Sequence, residues 1–404
     1  MNDLQTEKLS FKNFFYNKNI AIALWFGFAF IGVVQELWHH YPPNNFLIFK
    51  GVFEHTLHQT NLFDEYPNEY LDVNHYGPTF SILFAPFALL GNYAGCIVWV
   101  LFNALILFVA IRQLPVQQKL QNAILIFCAH ELMITSEWQQ SNALICACLI
   151  LGFTFINKGK EVWALLFIAL ATFIKLYGIV GLAFFFFSNN KIKFIVWGIV
   201  WSVVLFVLPM IISSPHFVIQ SYVDWYEELV FKAAKNVRLD INNDYQDISV
   251  MGMVRRIFGI ANFKNYLITV PAVILFLTQY MQWKFFVDVR FRLYLLCLVL
   301  IMTVIFTTSA ESPTYIIAFP AVCIWYVLQE HKKWVNSVFI FALLLTSFSY
   351  SDIFTPYVRD HIIRPYSLKA LPCFVLWLII IIQMWKQQFL SITETKLKFS
   401  TVKV

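Results

Sequence analysis

Apolar runs recur from one end of the chain to the other, separated by short polar breaks. Runs near 19–37, 93–111, 120–135, 142–156, 161–174, 176–188, 193–213, 266–285, 293–309, 313–328, 335–350 and 368–386 predict about twelve membrane-crossing helices. The run 79–90 (TFSILFAPFALL) is different. Twelve helical residues rise only about 18 Å against a hydrocarbon core of about 30 Å, and Pro78 and Pro86 interrupt the run. It reads as a re-entrant or surface-lying piece.

Charge orients this pattern. With the N-terminus inside and 79–90 not crossing, most of the 29 basic residues fall on one face. Lys8, Lys12 and Lys18 precede the first run; Arg112 and Lys119, Lys158 and Lys160, Lys191 and Lys193, Lys284, Arg290 and Arg292, Lys332 and Lys333 occupy the short inside loops; Lys386, Lys396, Lys398 and Lys403 follow the last run. Such a bias marks the cytoplasmic side. Letting 79–90 cross would put the Arg112–Lys119 and Lys158–Lys160 loops outside. The expected organisation is a cytoplasmic tail 1–18, one polytopic membrane domain 19–386 with outer loops 38–78 and 214–264, and a cytoplasmic tail 387–404, in the cell (inner or cytoplasmic) membrane. The runs 161–174 and 176–188 are too short to cross comfortably and meet at Lys175. Broken helices at membrane depth are tolerated where protein or a watery cavity covers them, so a cavity opening outward is expected.

Composition agrees: 59% of residues are hydrophobic and 13% charged, against about 25% charged in a soluble domain. The first run lacks a small-residue cleavage site and reads as a retained anchor. The net charge of +6 comes without a basic tail or basic–aromatic repeat, so nucleic acid is not an expected partner; membrane lipids are. The seven cysteines lie in or beside apolar runs and read as apolar filler, Cys146 and Cys148 falling on different helix faces.

Polar chemistry gathers in the first outer loop. From His39 to Tyr76 the chain carries Glu54, Asp64, Glu65, Glu69, Asp72 and five histidines including His75, with Lys50 as the one basic residue; Glu36 sits just before it. Further constellations are placed on the same face: Glu137 through Gln140 to Asn142, Lys175 with Tyr177, Gln246 through Asp247 to Arg255 and Arg256, and a weaker element at Glu311–Thr314. These are the residue types that group transfer from a lipid-linked phosphate needs. A carboxylate deprotonates an acceptor hydroxyl, while Lys and Arg neutralise the leaving phosphate. The sequence has no D-x-D, Gly-rich loop or Walker pattern, which disfavours a nucleotide donor used inside. Duller readings stand beside each element. Lys175 could snorkel, Gln140 and Asn142 could cap a helix, the arginine pair could be solvated or meet headgroups, and acidic runs are most often solvated faces.

The order of motifs resembles the bacterial polyprenol-phosphate-mannose-dependent alpha-mannosyltransferase family, integral-membrane enzymes of the GT-C fold class. Its D-F-x-x-Y, G-x-x-L-Y and Y-x-P-x-x-x-x-L-x-x-P are similar in order to Asn45–Phe49, Asn61–Phe63 and Tyr76–Pro86. Its G-Q-x-N resembles Gln139–Asn142, its K-x-Y-P resembles Lys175–Gly178, and its N-Q-S-L-x-G-x-x-x-R resembles Asp247–Arg256. The resemblance spans roughly residues 20–330. It implies an all-α GT-C-like helical bundle and an inverting transfer of a hexose, mannose by analogy, from a polyprenyl-phosphate donor to a lipid or glycan acceptor on the outer face, in cell-envelope synthesis. It implies neither metal nor cofactor. Substrate would be held by Asn45, Lys50, His75, Tyr76, Gln140, Asn142, Lys175, Tyr177, Arg255 and Arg256. Where D-F-x-x-Y begins with an acid, this chain has Asn45, and an amide cannot accept the proton. Either another carboxylate substitutes, with Glu36, Asp72 and Asp64 as candidates in that order, or activity is changed or lost. Two other functions compete. A lipid-linked-sugar flippase or transporter would show inverted repeats and intramembrane charge pairs, with Glu131 as its best residue; a polysaccharide polymerase or ligase would centre on 214–264.

Overall fold

The computed structural model describes residues 11–238, 246–351 and 353–399. Lys8 and Lys403 of the charge pattern lie outside them, as do residues 239–245 of the second polar loop. The described chain is all helical, without a β-sheet. In order it forms α1 (Phe11–Tyr16), α2 (Lys18–His39), α3 (Asn44–His58), α4 (Phe80–Ala88), α5 (Asn92–Gln113), α6 (Gln118–Glu137), α7 (Asn142–Asn157) and α8 (Glu161–Ile174). A 3-10 stretch Leu176–Phe187 leads to α9 (Lys191–Val207), α10 (Pro215–Arg238), α11 (Val250–Phe258), α12 (Tyr266–Leu277), α13 (Val289–Ile305), α14 (Phe319–Leu328), α15 (Lys333–Ala342), α16 (Pro356–Val358) and α17 (Leu371–Trp385).

Every apolar run of the sequence pattern coincides with helical structure. Among the described residues, five stretches are long and apolar enough to cross a membrane on their own: Lys18–His39, Asn92–Gln113, Lys191–Ile211, Tyr266–Phe285 and Leu368–Trp385. The protein is a helical membrane protein. Ile192, Ile199 and Val203 on α9, and Val270 and Ile274 on α12, point large apolar side chains outward, a surface that lipid tolerates and water does not. By contrast α13 is buried almost all round and forms the centre of the bundle.

Two local features position the site. The nine-residue α4 rises only about 13 Å, too short to cross; it packs beside α3, where Phe49, Phe80, Phe84 and Trp99 close into an aromatic knot with centroids 5.1–6.2 Å apart. The second is the break after α8. Lys175 is extended (φ −141°, ψ 133°), and the 3-10 stretch folds back so tightly that a Cβ on Gly178 would lie 2.2 Å from the backbone nitrogen of Thr172. Only glycine fits there, so the chain turns and leaves Lys175 at the bend.

The second polar segment, expected as a loop over 214–264, holds instead two helices. Val218, Ser221, Trp225, Lys232 and Asn236 of the 24-residue α10 are buried at helical spacing. All seven cysteines are free and buried, in keeping with the filler reading.

Candidate active site

Segments remote in sequence meet around a cavity of about 730 Å³. Its wall takes Asn45 from α3, Asp72, His75 and Tyr76 from the following loop, Glu137 from the end of α6 and Gln140 just beyond it, Lys175 and Tyr177 from the break after α8, and Glu311 from the turn before α14. Gly77 makes the meeting possible. Its N–H donates to the Ile174 carbonyl at 3.1 Å, and a Cβ there would be 2.3 Å from the Phe173 carbonyl oxygen. This close approach sets Tyr76 beside Lys175, whose Nζ lies 4.7 Å from the Tyr76 ring centroid and 5.8 Å from that of Tyr177.

Lys175 ends a directed chain of hydrogen bonds. Its Nζ donates to Asn142 Oδ1 (3.2 Å), Asn142 Nδ2 donates to Gln140 Oε1 (2.6 Å), and Gln140 Nε2 donates to Glu311 Oε2 (2.7 Å). A half-buried cation is thus held by a carboxylate through two amides, each of which has one way to face. Burial alone would lower the Lys175 ammonium; Tyr76, Tyr177 and Glu311 outweigh it and hold it above its ordinary value. Glu137, the last residue of α6 and beyond the expected crossing 120–135, is raised by burial and then by the charge of Glu36.

Asp72 is presented by backbone geometry. Asn44 clamps the preceding residue, donating from Nδ2 to the Leu71 carbonyl (2.8 Å) and accepting at Oδ1 from the Leu71 N–H (2.7 Å). Asp72 itself adopts φ +70°, and Gln139, behind Gln140, φ +48°. Left-handed non-glycine residues are uncommon and concentrate where the surrounding structure imposes them, as at functional sites. His75 lies between two charges of α10, Nδ1 3.0 Å from Glu228 Oε1 and Nε2 2.8 Å from Lys232 Nζ.

The other expected residues are placed elsewhere. Asn142 is buried one step behind the wall. Glu36 pairs with His40 at 2.9 Å and Lys50 with Glu54 at 3.5 Å, neither on this wall. Asp64 lines a neighbouring cavity. Arg255 and Arg256 are buried behind Gln246 and Ile248, which do line the site. Arg255 is paired with Asp247 and donates to Asn265 Oδ1 at 2.6 Å; Arg256 donates to the Asp247 carbonyl at 3.0 Å, the Gln246 carbonyl at 2.7 Å and the Ser367 hydroxyl. Burial pulls the Asp247 carboxyl up, against the two arginines, which pull it down. Removing Asp247 as Asp247→Ala leaves Arg255 buried without its partner, so a loss of about 3–5 kcal/mol in stability is expected. Thermal unfolding in detergent checks this; an unchanged midpoint would count against it.

Position 45 has its own explanation. The Asn45 side-chain amide donates to the Trp138 carbonyl at 2.9 Å, a bond an ionised aspartate cannot make, since it has no donor. Asn45→Asp, which restores the acid of the resembled pattern, is therefore expected to lower stability by about 0.5–1.5 kcal/mol without raising transfer, measured as melting temperature and turnover on the same preparation. A gain in turnover would contradict it.

Sequence reasoning gave Glu311 too little weight and missed Lys232. Glu311 meets Gln140 across 171 positions, which no short motif records. The 3–4 spacing of buried residues on α10 is the signal that could have found Lys232. Beneath the site, Lys369 pairs with Glu131 at 3.1 Å, both fully buried, and donates to Ser312 Oγ at 3.0 Å. This staples the turn that carries Glu311.

The model of one protein family, described as glycosyltransferase family 87, matches residues 74–310, more than half of the chain. The chain belongs to glycosyltransferase family 87. It is a membrane-embedded sugar transferase, acting between a sugar donor and an acceptor. The family 87 match spans His75, Tyr76, Gln140, Asn142, Lys175, Tyr177 and both arginines, and begins two residues after Asp72. No curated protein matches the chain.

Proposed function

We propose that this family 87 enzyme moves a hexose, mannose by the resemblance, from a polyprenyl phosphate to a hydroxyl of a lipid or glycan acceptor at the outer face of the cytoplasmic membrane. The proposal includes twelve crossings in a GT-C-like arrangement with both termini cytoplasmic. One observation carries it: the relay Glu311–Gln140–Asn142–Lys175 fixes the Lys175 ammonium in a cavity whose wall also holds Asp72, together with the further cations Lys232 and Arg364. In the reaction the acceptor O–H gives its proton to Asp72 as its oxygen bonds to the sugar C1. The C1–O bond to the phosphate breaks, and the departing oxygen keeps the electron pair. The phosphate gains a negative charge in that step, and Lys175 is placed to neutralise it. Tyr76 and Tyr177 flank the ammonium and would exclude water around it. Of the three candidate bases, Asp72 alone lies on this wall. Arg255 and Arg256 act in this reading by holding the 246–248 segment.

The flippase alternative gains one observation, the buried Glu131–Lys369 pair. That pair is tied to Ser312 and so serves the turn under the relay, which favours transfer. The test is turnover of labelled polyprenyl-phosphate mannose by purified protein in lipid, with membrane extract as acceptor. Labelled product supports the reading, whereas silence across a panel of lipid-phosphate sugars would remove it.

A further inference from the structure

Beside the main cavity lies a second, of about 460 Å³, between the loop 63–73 and α10. Asp72, Val73, His75 and Lys232 belong to the walls of both. The partition is therefore the His75–Lys232 contact together with the carboxylate assigned above as base. We propose that this second cavity seats an uncharged carbohydrate acceptor, which offers a hydroxyl to Asp72 at the shared wall; this rests on the transferase reading.

The chemistry of the wall selects the occupant. Asp64, Glu65 and Glu228 supply carboxylates, which accept hydrogen bonds from sugar hydroxyls. Tyr66 and Phe231 supply rings that pack against the C–H faces of a pyranose. Tyr70 adds an independent sign: it is 5% exposed, lines this cavity, and its hydroxyl has no hydrogen-bond partner among the described residues. Buried hydroxyls are ordinarily paired, and a polyhydroxyl ligand would pair this one. A hydrocarbon tail would desolvate the carboxylates without compensation. A phosphate would meet the carboxylates of Asp64, Glu65, Asp72 and Glu228 against the ammonium groups of Lys232 and Lys235 alone. A neutral glycan end satisfies all of these groups at once.

Saturation-transfer NMR on the full chain in lipid nanodiscs tests this with two probes, mannotriose and mannose 6-phosphate. Mannotriose should bind, and more tightly than the phosphate. Tyr70→Phe should weaken it about three- to tenfold, the loss of one neutral hydrogen bond, and Phe231→Ala, on the exposed side of α10, should weaken it comparably. Lys175→Met should leave mannotriose binding unchanged. The proposal is overturned if the wild type does not bind mannotriose, if neither cavity variant weakens it, or if mannose 6-phosphate binds as well. Should binding follow the expected pattern while every lipid-phosphate donor fails to turn over, the carbohydrate site stands and the donor reading falls.

Discussion

Lys175→Met is expected to lower kcat for sugar transfer by about 10²–10³-fold, the usual effect of removing one preorganised group that stabilises charge developing in the transition state. The loss should appear in kcat more than in KM, because the phosphate gains its extra charge only as the C1–O bond breaks. Folding should survive, since the amides of Asn142 and Gln140 still bond to each other and to Glu311. Asn142 Oδ1 loses its donor at a cost of about 1–3 kcal/mol, visible as a lower melting temperature. Lys175→Arg keeps the charge but must fit a planar guanidinium between Asn142, Tyr76 and Tyr177, so an intermediate rate is expected. Gln140→Ala leaves the cation in place and frees it to reorient, and a smaller loss follows. Stopped-assay turnover of a labelled lipid-phosphate sugar, with melting curves on the same samples, reads all three. A Lys175→Met rate within about threefold of wild type would refute the assignment of the cation.

Much of this site could be read before any fold was known, and the reason is physical. Two runs too short to cross, meeting at a lysine, imply a broken helix over a cavity, and that is where Lys175 lies. The polar break Gln139–Asn142 between long apolar runs is equally conspicuous, because no lipid-facing helix carries such a cluster without cause. The same reasoning misplaced other residues. Arg255 and Arg256 look like a free cationic pair in the sequence, yet Asp247, Asn265 and two carbonyls take up their donors, a pairing fixed by how α11 leaves Ser249. The segment 214–264 reads as a loop because α10 carries apolar residues on two sides. Ile219, Val223, Tyr226 and Val230 point outward while Val218, Trp225 and Leu229 point inward, and the mixture hides the period. Ranking Glu36 first among the bases came from its place at the end of a crossing. The fold turns it to His40, away from the wall, a consequence of helix phase that a position near a span end does not reveal.

Asp72→Asn is expected to reduce kcat by about 10²–10⁴-fold, the range for loss of a general base, while Glu36→Gln and Asp64→Asn stay within about threefold. Asp72 is exposed and is held through Leu71 by the Asn44 clamp and not by its own carboxylate, so the amide should keep both the left-handed turn, which asparagine tolerates, and the fold. Donor binding should be unaltered, since the change removes a proton acceptor and leaves Lys175 and the relay intact. A purely structural role for Asp72 would give the opposite pattern: lowered melting temperature, and KM shifted with kcat. Glu137 is the discriminating control. It lies on the same wall, and its raised carboxyl makes it the rival proton acceptor. If Glu137→Gln abolishes turnover and Asp72→Asn does not, the base belongs to the end of α6 and the second cavity loses its link to the reaction. If Asp72→Asn alone is silent, the carboxylate that replaces the acid absent at position 45 is the one both cavities share.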